Sequence, residues 1–339
     1  MTIKDIARLA GCSTATISRV INNEKGVSDE KREYIRKIIQ ENNYVPSAVA
    51  KNLAVQRANT LLFVYENAPE NPFYSDLIHG TLEAAREAHQ MLLFNILTDE
   101  QVTDYFISAL SGNMMDGVIV ASTGNAATRA FVKAVSEAGQ KIILLNDPIE
   151  ELKVPCIYID NELSGYQATE HLISRGHKRI GHVGGRMRSR TASSRYAGYK
   201  RAMMVHDLEE YVDRYTIMNN TTPEEAYNSA KQILSQVNRP TAIFAANDNM
   251  AMGVYQAARE LKLRIPEDLS VVGHDDIGMA SRMNPKLTTM HQPLFEISKQ
   301  AVSILLKMID SGNGEETQVS IVLAAELVDR ESVKNLNEE

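Results

Sequence analysis

Residues 2–22 read TIKDIARLAGCSTATISRVIN. Thr2 and Asp5 fit a capping box, in which a hydroxyl and a carboxylate satisfy the free amides of a helix start. Ile3, Ile6, Ala7 and Ala10 then fall at i, i+3, i+4 and i+7, one apolar helical stripe. Gly11 can take the left-handed conformation that ends a helix. Ser13 or Thr14 can cap the next one. In that second helix Ile17, Val20 and Ile21 form the buried face, and Ala15, Ser18, Arg19 and Asn22 the opposite one. That opposite face is small and polar with one arginine. Such a face can enter a major groove N-terminus first, where a bulky or acidic face cannot. A third helix is predicted from Ser28 to Glu41, with Tyr34, Ile35, Ile38 and Ile39 inward.

A small helical bundle built for protein contacts carries the same local pattern. Charge favours nucleic acid. Residues 1–60 carry a formal charge of +4 and the other 279 carry −11, within a total of −7. A basic head on an acidic body is the asymmetry expected when only the head meets phosphate.

Pro46 disfavours helix at Val45, and Ser47 can cap a new helix running to Ala54. About eight helical residues are too few to be stable alone in water. The segment should therefore be helical only when packed. Its Val49, Ala50, Leu53 face is apolar, while Lys51 and Asn52 are polar. Pairing with its own copy over DNA would use both faces, with Leu53 as a wedge in a minor-groove step. Packing of Leu53 on the body is the other reading.

From Thr60 onward strand-like and helical runs alternate. Apolar strand-like runs lie at Leu61–Tyr65, Met91–Ile96, Gly117–Ala121, Lys141–Leu145, Cys156–Ile159, Ile180–Val183, Ala242–Ala246, Leu269–Gly273 and Thr288–His291. Helical patterns such as Tyr74–Ala88, Leu163–Arg175, Thr222–Gln236 and Asn249–Leu261 separate many of them. This is the signature of parallel sheets covered on both faces, an α/β body. Nine or more strands suit two sheets better than one.

Ligands of such lobes sit outside the carboxyl ends of strands. Those ends are rich in Asn, Asp, Arg and aromatic residues, a mix suited to reading hydroxyls, with Phe73 or Tyr74 covering a sugar ring. The arginines at 186, 188, 190 and 195 are either a solvated loop or a clamp for a phosphate or carboxylate.

The stretches TIKDIARLAGCSTATISRVIN, VS, NYVPSAVAKNLA, PTAIFAANDNMAMG and LSVVGHDDI, in that order over nearly the whole chain, resemble the LacI/GalR family of bacterial transcription regulators. The resemblance implies a helix-turn-helix headpiece (1–45), a hinge helix and linker (46–59), and a periplasmic-binding-protein-like body of two lobes. It divides the body into 60–160 plus 292–318 and 161–291 plus 319–332. It makes Leu53 the wedge. It implies DNA contacts from Thr14, Ala15, Thr16, Ser18, Arg19, Asn22, Ser28, Tyr44, Ser47, Ala48, Lys51 and Leu53. Arg195, Asn247 and Asp275 resemble effector contacts of the family. Phe73 and Tyr74 lie where relatives begin the helix beside the pocket. Asn146 stands where many relatives have Asp, a departure from the sugar-binding pattern. Expected partners are a pseudo-palindromic double-stranded operator, a sugar-like effector and a second copy of the chain; a protein corepressor is an alternative to the small molecule.

Other classes fare poorly. Gly181-His182-Val183-Gly184-Gly185 lacks GxGxxG spacing, and neither GxxxxGK[ST] nor GxSxG occurs. His274 and Asp275 are expected to point oppositely on an extended segment. No catalytic or metal site and no cofactor are therefore expected. The eight histidines are scattered, and Cys12 and Cys156 read as free buried thiols of a cytoplasmic protein. A capped helix begins within three residues, so no signal peptide is expected, and no apolar run reaches the ~18 residues of a membrane span. The alternative function is a two-lobed sugar-binding protein or sugar-acting enzyme with a non-functional head.

Overall fold

The computed structural model describes residues 1–44, 57–66, 72–97, 106–110, 112, 114–122, 124–220, 222–311 and 320–338. It forms two compact units, Met1–Ala58 and Asn59–Glu339. The hinge positions Ser47, Ala48, Lys51 and Leu53 lie outside the described residues.

In the first unit α1 is Ile3–Leu9, α2 is Thr14–Ile21 and α3 is Asp29–Glu41. Thr2 and Asp5 form the expected capping box; Asp5 Oδ2 accepts from the Thr2 amide at 2.9 Å. Gly11 turns the chain at φ +59°, and Ser13 Oγ accepts from the Thr16 amide at 3.2 Å to start α2. Ile6, Ile17, Val20, Ile35 and Ile38 make the small core, with Ile21, Ile39 and Tyr44 packed at its edge. Tyr34 departs from expectation and is 53% exposed. It lies one residue, about 100° of helix, from Ile35, and so misses the narrow seam that Ile35 and Ile38 fill.

The second unit holds two six-stranded sheets. The first runs β2 (Met91–Leu97), β1 (Thr60–Glu66), β3 (Gly117–Ser122), β4 (Ile142–Asn146), β5 (Cys156–Ile159) and β11 (Ile321–Leu323), all parallel. The second runs β7 (Thr216–Ile217), β6 (Ile180–Val183), β8 (Ala242–Ala245), β9 (Ser270–Asp275), β10 (Thr288–His291) and β12 (Glu326–Val328). Only β12 is antiparallel, to β10. Both sheets share the order 2-1-3-4-5 plus one late strand, and both switch direction beside their first strand, where such sheets bind ligands.

Continuous burial of GVIVAS in β3 and AIFA in β8 reflects cover on both faces. Helix α4 (Pro72–Glu87) and the late helix Leu294–Asp310 cover the first sheet together. They approach closely at Gly80, where a Cβ would stand 3.0 Å from Ser298 Oγ.

Of residues 319–332, expected in the second lobe, those described from 320 onward divide between the two sheets. Ile321–Leu323 pairs with β5, and Ile321 and Leu323 pack on the core beneath it. Only Glu326–Val328 joins the second sheet. The added strands β7, β11 and β12 are two or three residues long, too short to show a readable period.

Candidate functional site

The outer face of α2 carries Thr14, Ala15, Arg19 and Asn22 exposed, with Thr16 and Ser18 half-buried. The face braces itself: Asn22 donates to Ser18 Oγ at 3.3 Å, and Thr16 Oγ1 lies 2.9 Å from Ser13 Oγ. Arg32 and Arg36 both donate to Asn23 Oδ1, holding the loop after α2. Ser28 is exposed at the start of α3 and Tyr44 half-buried beyond its end. The positive end of the α2 dipole and its free amides face the same way as its exposed first turn.

In the body, the carboxyl ends of β4 and β9 carry non-glycine residues at positive φ: Asn146 at +80° and Asp275 at +110°. Backbone held there is costly for a side chain and concentrates at functional positions. Asn146 Nδ2 donates to Ser122 O at 3.1 Å, tying the ends of β3 and β4. Beside it Phe73, Leu77, Tyr158, Gln292 and Leu294 form a mostly apolar recess. Tyr74 packs edge-on against Phe73 and stacks on Tyr65 at 5.6 Å.

Arg195 sits on helix α7 (Arg190–Val205) and is 5% exposed. It donates to Asn161 Oδ1 at 2.8 Å and Ala246 O at 2.6 Å, and pairs with Asp275 at 3.3 Å. Gln292 donates to Asp275 Oδ1 at 2.7 Å and also lines the recess with Phe73 and Asn146. So Arg195, Asp275 and Gln292 form one connected polar network, and Gln292 borders the recess that Phe73 and Asn146 also line. Asn247 stands one residue past Ala246, capping the helix Asp248–Glu260 by accepting from the Met250 amide at 2.8 Å.

Expectation and structure part at His274. Its Nδ1 lies 3.0 Å from Asp275 Oδ1, because positive φ at Asp275 breaks the strand's alternation and turns the carboxylate onto its neighbour. Its Nε2 lies 3.1 Å from Ser164 Oγ. The order Ser–His–Asp imitates a hydrolase relay. Yet Ser164 is buried in the first turn of helix α6 (Asn161–Ser174) and bonded to Asp160 O at 3.0 Å, with no open side for a substrate carbonyl.

Burial dominates the electrostatics. It lowers Arg195, an effect opposed by Asp275, Asp147 and Asp248. It brings His274 down to about 4, with Arg195 adding to the shift, so the imidazole is neutral at pH 7. It raises Asp248 well above the carboxylate range, and the Asp275 charge raises it further. Asp248 accepts from Thr289 Oγ1 at 2.5 Å and the Ile277 amide at 2.9 Å, which makes it a brace for the Asp275 turn.

Sequence reasoning placed Asp147, Asn161 and His274 at strand ends without giving them a role in the site, and did not single out Gln292 or Ser164. Asn161 and Asp147 immediately follow strand ends, which was the available signal. Nothing local marks Ser164 or Gln292.

A family model for bacterial regulatory proteins, lacI family, matches residues 2–47, and one for a periplasmic binding protein-like domain matches residues 169–333. The transcriptional repressor PurR of Haemophilus influenzae (strain PittEE) is 33% identical over 337 residues, 99% of each chain. The ribose operon repressor of Haemophilus influenzae (strain ATCC 51907 / DSM 11121 / KW20 / Rd) is 33% identical over 336 residues, again 99% of each. Among solved structures, the complex of transcriptional regulator CelR with cellobiose superposes with a TM-score of 0.73 at 28% identity, over 98% of this chain and 99% of that one. The lac repressor dimer bound to operator and the anti-inducer ONPF gives 0.84 at 24% identity, over the same shares, and bears on fold alone.

Proposed function

We propose, since the chain belongs to the lacI family of bacterial regulatory proteins, that it is a ligand-responsive repressor that binds operator DNA. The observation that carries the reading is the exposed, small and polar outer face of α2, set on the shared core of the helices described within residues 1–44. In this reading Thr14, Ala15, Thr16, Ser18, Arg19 and Asn22 meet bases or adjacent phosphates, with Ser28 and Tyr44 on the backbone. Ala15 offers an apolar contact to a thymine methyl, and Arg19 a contact to guanine or phosphate. The headpiece takes residues 1–45, the hinge 46–59, and Ser47, Ala48, Lys51 and Leu53 act in the minor groove.

The effector is a sugar or sugar derivative bound between the lobes, read through Phe73, Tyr74, Asn146, Arg195, Asn247 and Asp275. Its binding alters lobe separation, and the hinge helices form or melt in response. The Ser164–His274–Asp275 chain is a brace that fixes Asp275, not a catalytic centre.

Two copies act together on a two-fold site. Exposed apolar side chains on both faces of the edge strand β2, Met91 and Leu93 on one and Phe94 and Ile96 on the other, support this. An uncovered apolar edge invites pairing with another chain. The protein works in the cytoplasm beside its operator; among the described residues no helix is long and apolar enough to cross a membrane.

The test is selection of a binding site from random duplexes, then gel shift at graded salt. A sequence preference and a steep salt slope are expected. Arg19→Ala should weaken the selected site by about tenfold or more, for a contact of ~1–3 kcal/mol. Binding without preference for any sequence would reject the reading. Unchanged affinity after Leu53→Ala would reject the wedge alone.

A further inference from the structure

Beyond the ends of β3, β4 and β6 lies a second, charged cleft of about 130 Å³. From the first lobe it is lined by Gly124, Arg129, Asp147 and Glu150, and from the second by Arg188 and Arg190. Asp147 is 2% exposed. Its Oδ1 accepts from Thr191 Oγ1 of the opposite lobe at 2.5 Å, while its Oδ2, fully buried, has no hydrogen-bond partner among the described residues. A buried acceptor without a donor is destabilising, so a ligand that donates to Oδ2 gains what the free protein lacks. Gly124, at φ +67°, lies beside that buried oxygen: a Cβ there would stand 4.0 Å from Oδ2 and 3.8 Å from the Arg129 guanidinium.

Arg129 donates Nε to Gly124 O at 2.8 Å and Arg190 lies over the Tyr158 ring, but the ion pairs of both are exposed. Arg129 pairs with Glu151 at 2.9 Å and Arg190 with Glu150, but the glutamate side chains are 70% and 74% exposed. Bridges so exposed contribute little. Arg188 is exposed and has no hydrogen bond or ion pair with another described residue. The two glutamates thus occupy guanidinium forks that fit a carboxylate or phosphate in two-pronged fashion.

We infer that the effector is a sugar carrying an anionic group, a phosphate or a carboxylate, with a hydroxyl donating to Asp147 Oδ2 and the anion held by Arg188 together with Arg129 and Arg190. The anion displaces Glu151 and Glu150 from the two paired arginines. Burial also pushes the Asp147 carboxyl up, which lessens its repulsion of a neighbouring anion. The inference rests on the proposal that the effector binds between the lobes.

The test is thermal shift and calorimetry on the full chain. The probes are hexose and pentose phosphates, the matching sugar acids, their neutral parent sugars and inorganic phosphate, each at millimolar concentration. An anionic sugar should raise the Tm where its neutral parent does not, and whether phosphates or acids do so identifies the anion. Arg188→Gln, at an exposed position that leaves the fold intact, should weaken that probe about tenfold or more. The inference is overturned if no anionic sugar stabilises the chain, if a neutral parent does so equally, if inorganic phosphate alone matches the sugar phosphate, or if Arg188→Gln changes nothing. A neutral sugar that releases the selected DNA site overturns this inference and leaves the repressor reading standing. An anionic sugar that binds a chain with no DNA preference does the reverse.

Discussion

Arg195 is the residue on which the body's polar network turns. Its guanidinium is buried, and three acceptors from three distant segments hold it: Asn161, Ala246 O and Asp275. Replacing it with methionine keeps volume but leaves Asp275 charged and unpaired in the interior. Breaking a buried pair in this way costs roughly 3–5 kcal/mol. A urea titration of Arg195→Met should show that loss, and a midpoint within error of wild type would contradict the network's importance. In the headpiece, Ser13→Ala removes the α2 cap and should cost about 1 kcal/mol. Hydrogen exchange at the Thr16 amide, which Ser13 Oγ accepts, would report it. Asp275 was legible as a strand-end polar residue, and Arg195 as a resemblance to an effector contact of the family. Their contact was not, because it depends on Asp275 leaving the extended conformation at φ +110°, which no spacing predicts. The same turn is why His274 meets Asp275 instead of pointing away.

At the scale of elements, α6 and α7 cross in contact because glycines stand at the crossing. A Cβ at Gly198 would sit 2.0 Å from Glu162 O and 2.6 Å from the Tyr166 amide. A Cβ at Gly165 would sit 2.2 Å from Arg195 O. The crossing therefore sets where Arg195 begins its reach. Gly198→Ala forces the helices apart, and overpacking of this kind costs about 1–3 kcal/mol. The expected outcome is a lower thermal midpoint together with a weaker effector response; a variant as stable as wild type would mean the helices can slide without loss. Helices and long strands were readable because their periods span many residues. The close approach was not, since a helical glycine reads locally as a weak point rather than as a contact. Ile321–Leu323 shows the same limit: three residues have no period, and pairing with β5 alone assigned them to the first sheet.

For the whole molecule, pH is the broadest lever. His177, His182 and His274 are each brought down to about 4 by burial, whereas in the unfolded chain they titrate near ~6.5. The unfolded state therefore binds more protons between those values, and stability is lost as pH falls from about 6.5 to about 4. Asp147 and Asp248, raised by burial, act in the opposite sense and offset part of the loss. Urea midpoints should fall through this window, and His182→Gln, which cannot titrate, should flatten the slope whatever its effect on the plateau. A slope unchanged in that variant would exclude His182 as a contributor. The sequence by itself determined the capped helices around Gly11, the face of α2, and the alternation of strands and helices. All of these follow from local chemistry repeated at a fixed period. Only the tertiary structure decided that Gln292 holds Asp275 while lining the recess with Phe73 and Asn146, that Asp147 faces Thr191 across the lobes with one oxygen unmatched, and that three arginines share its cleft. Those outcomes depend on the packing of segments far apart in the chain, and neither composition nor periodicity records which distant side chains that packing brings within bonding distance.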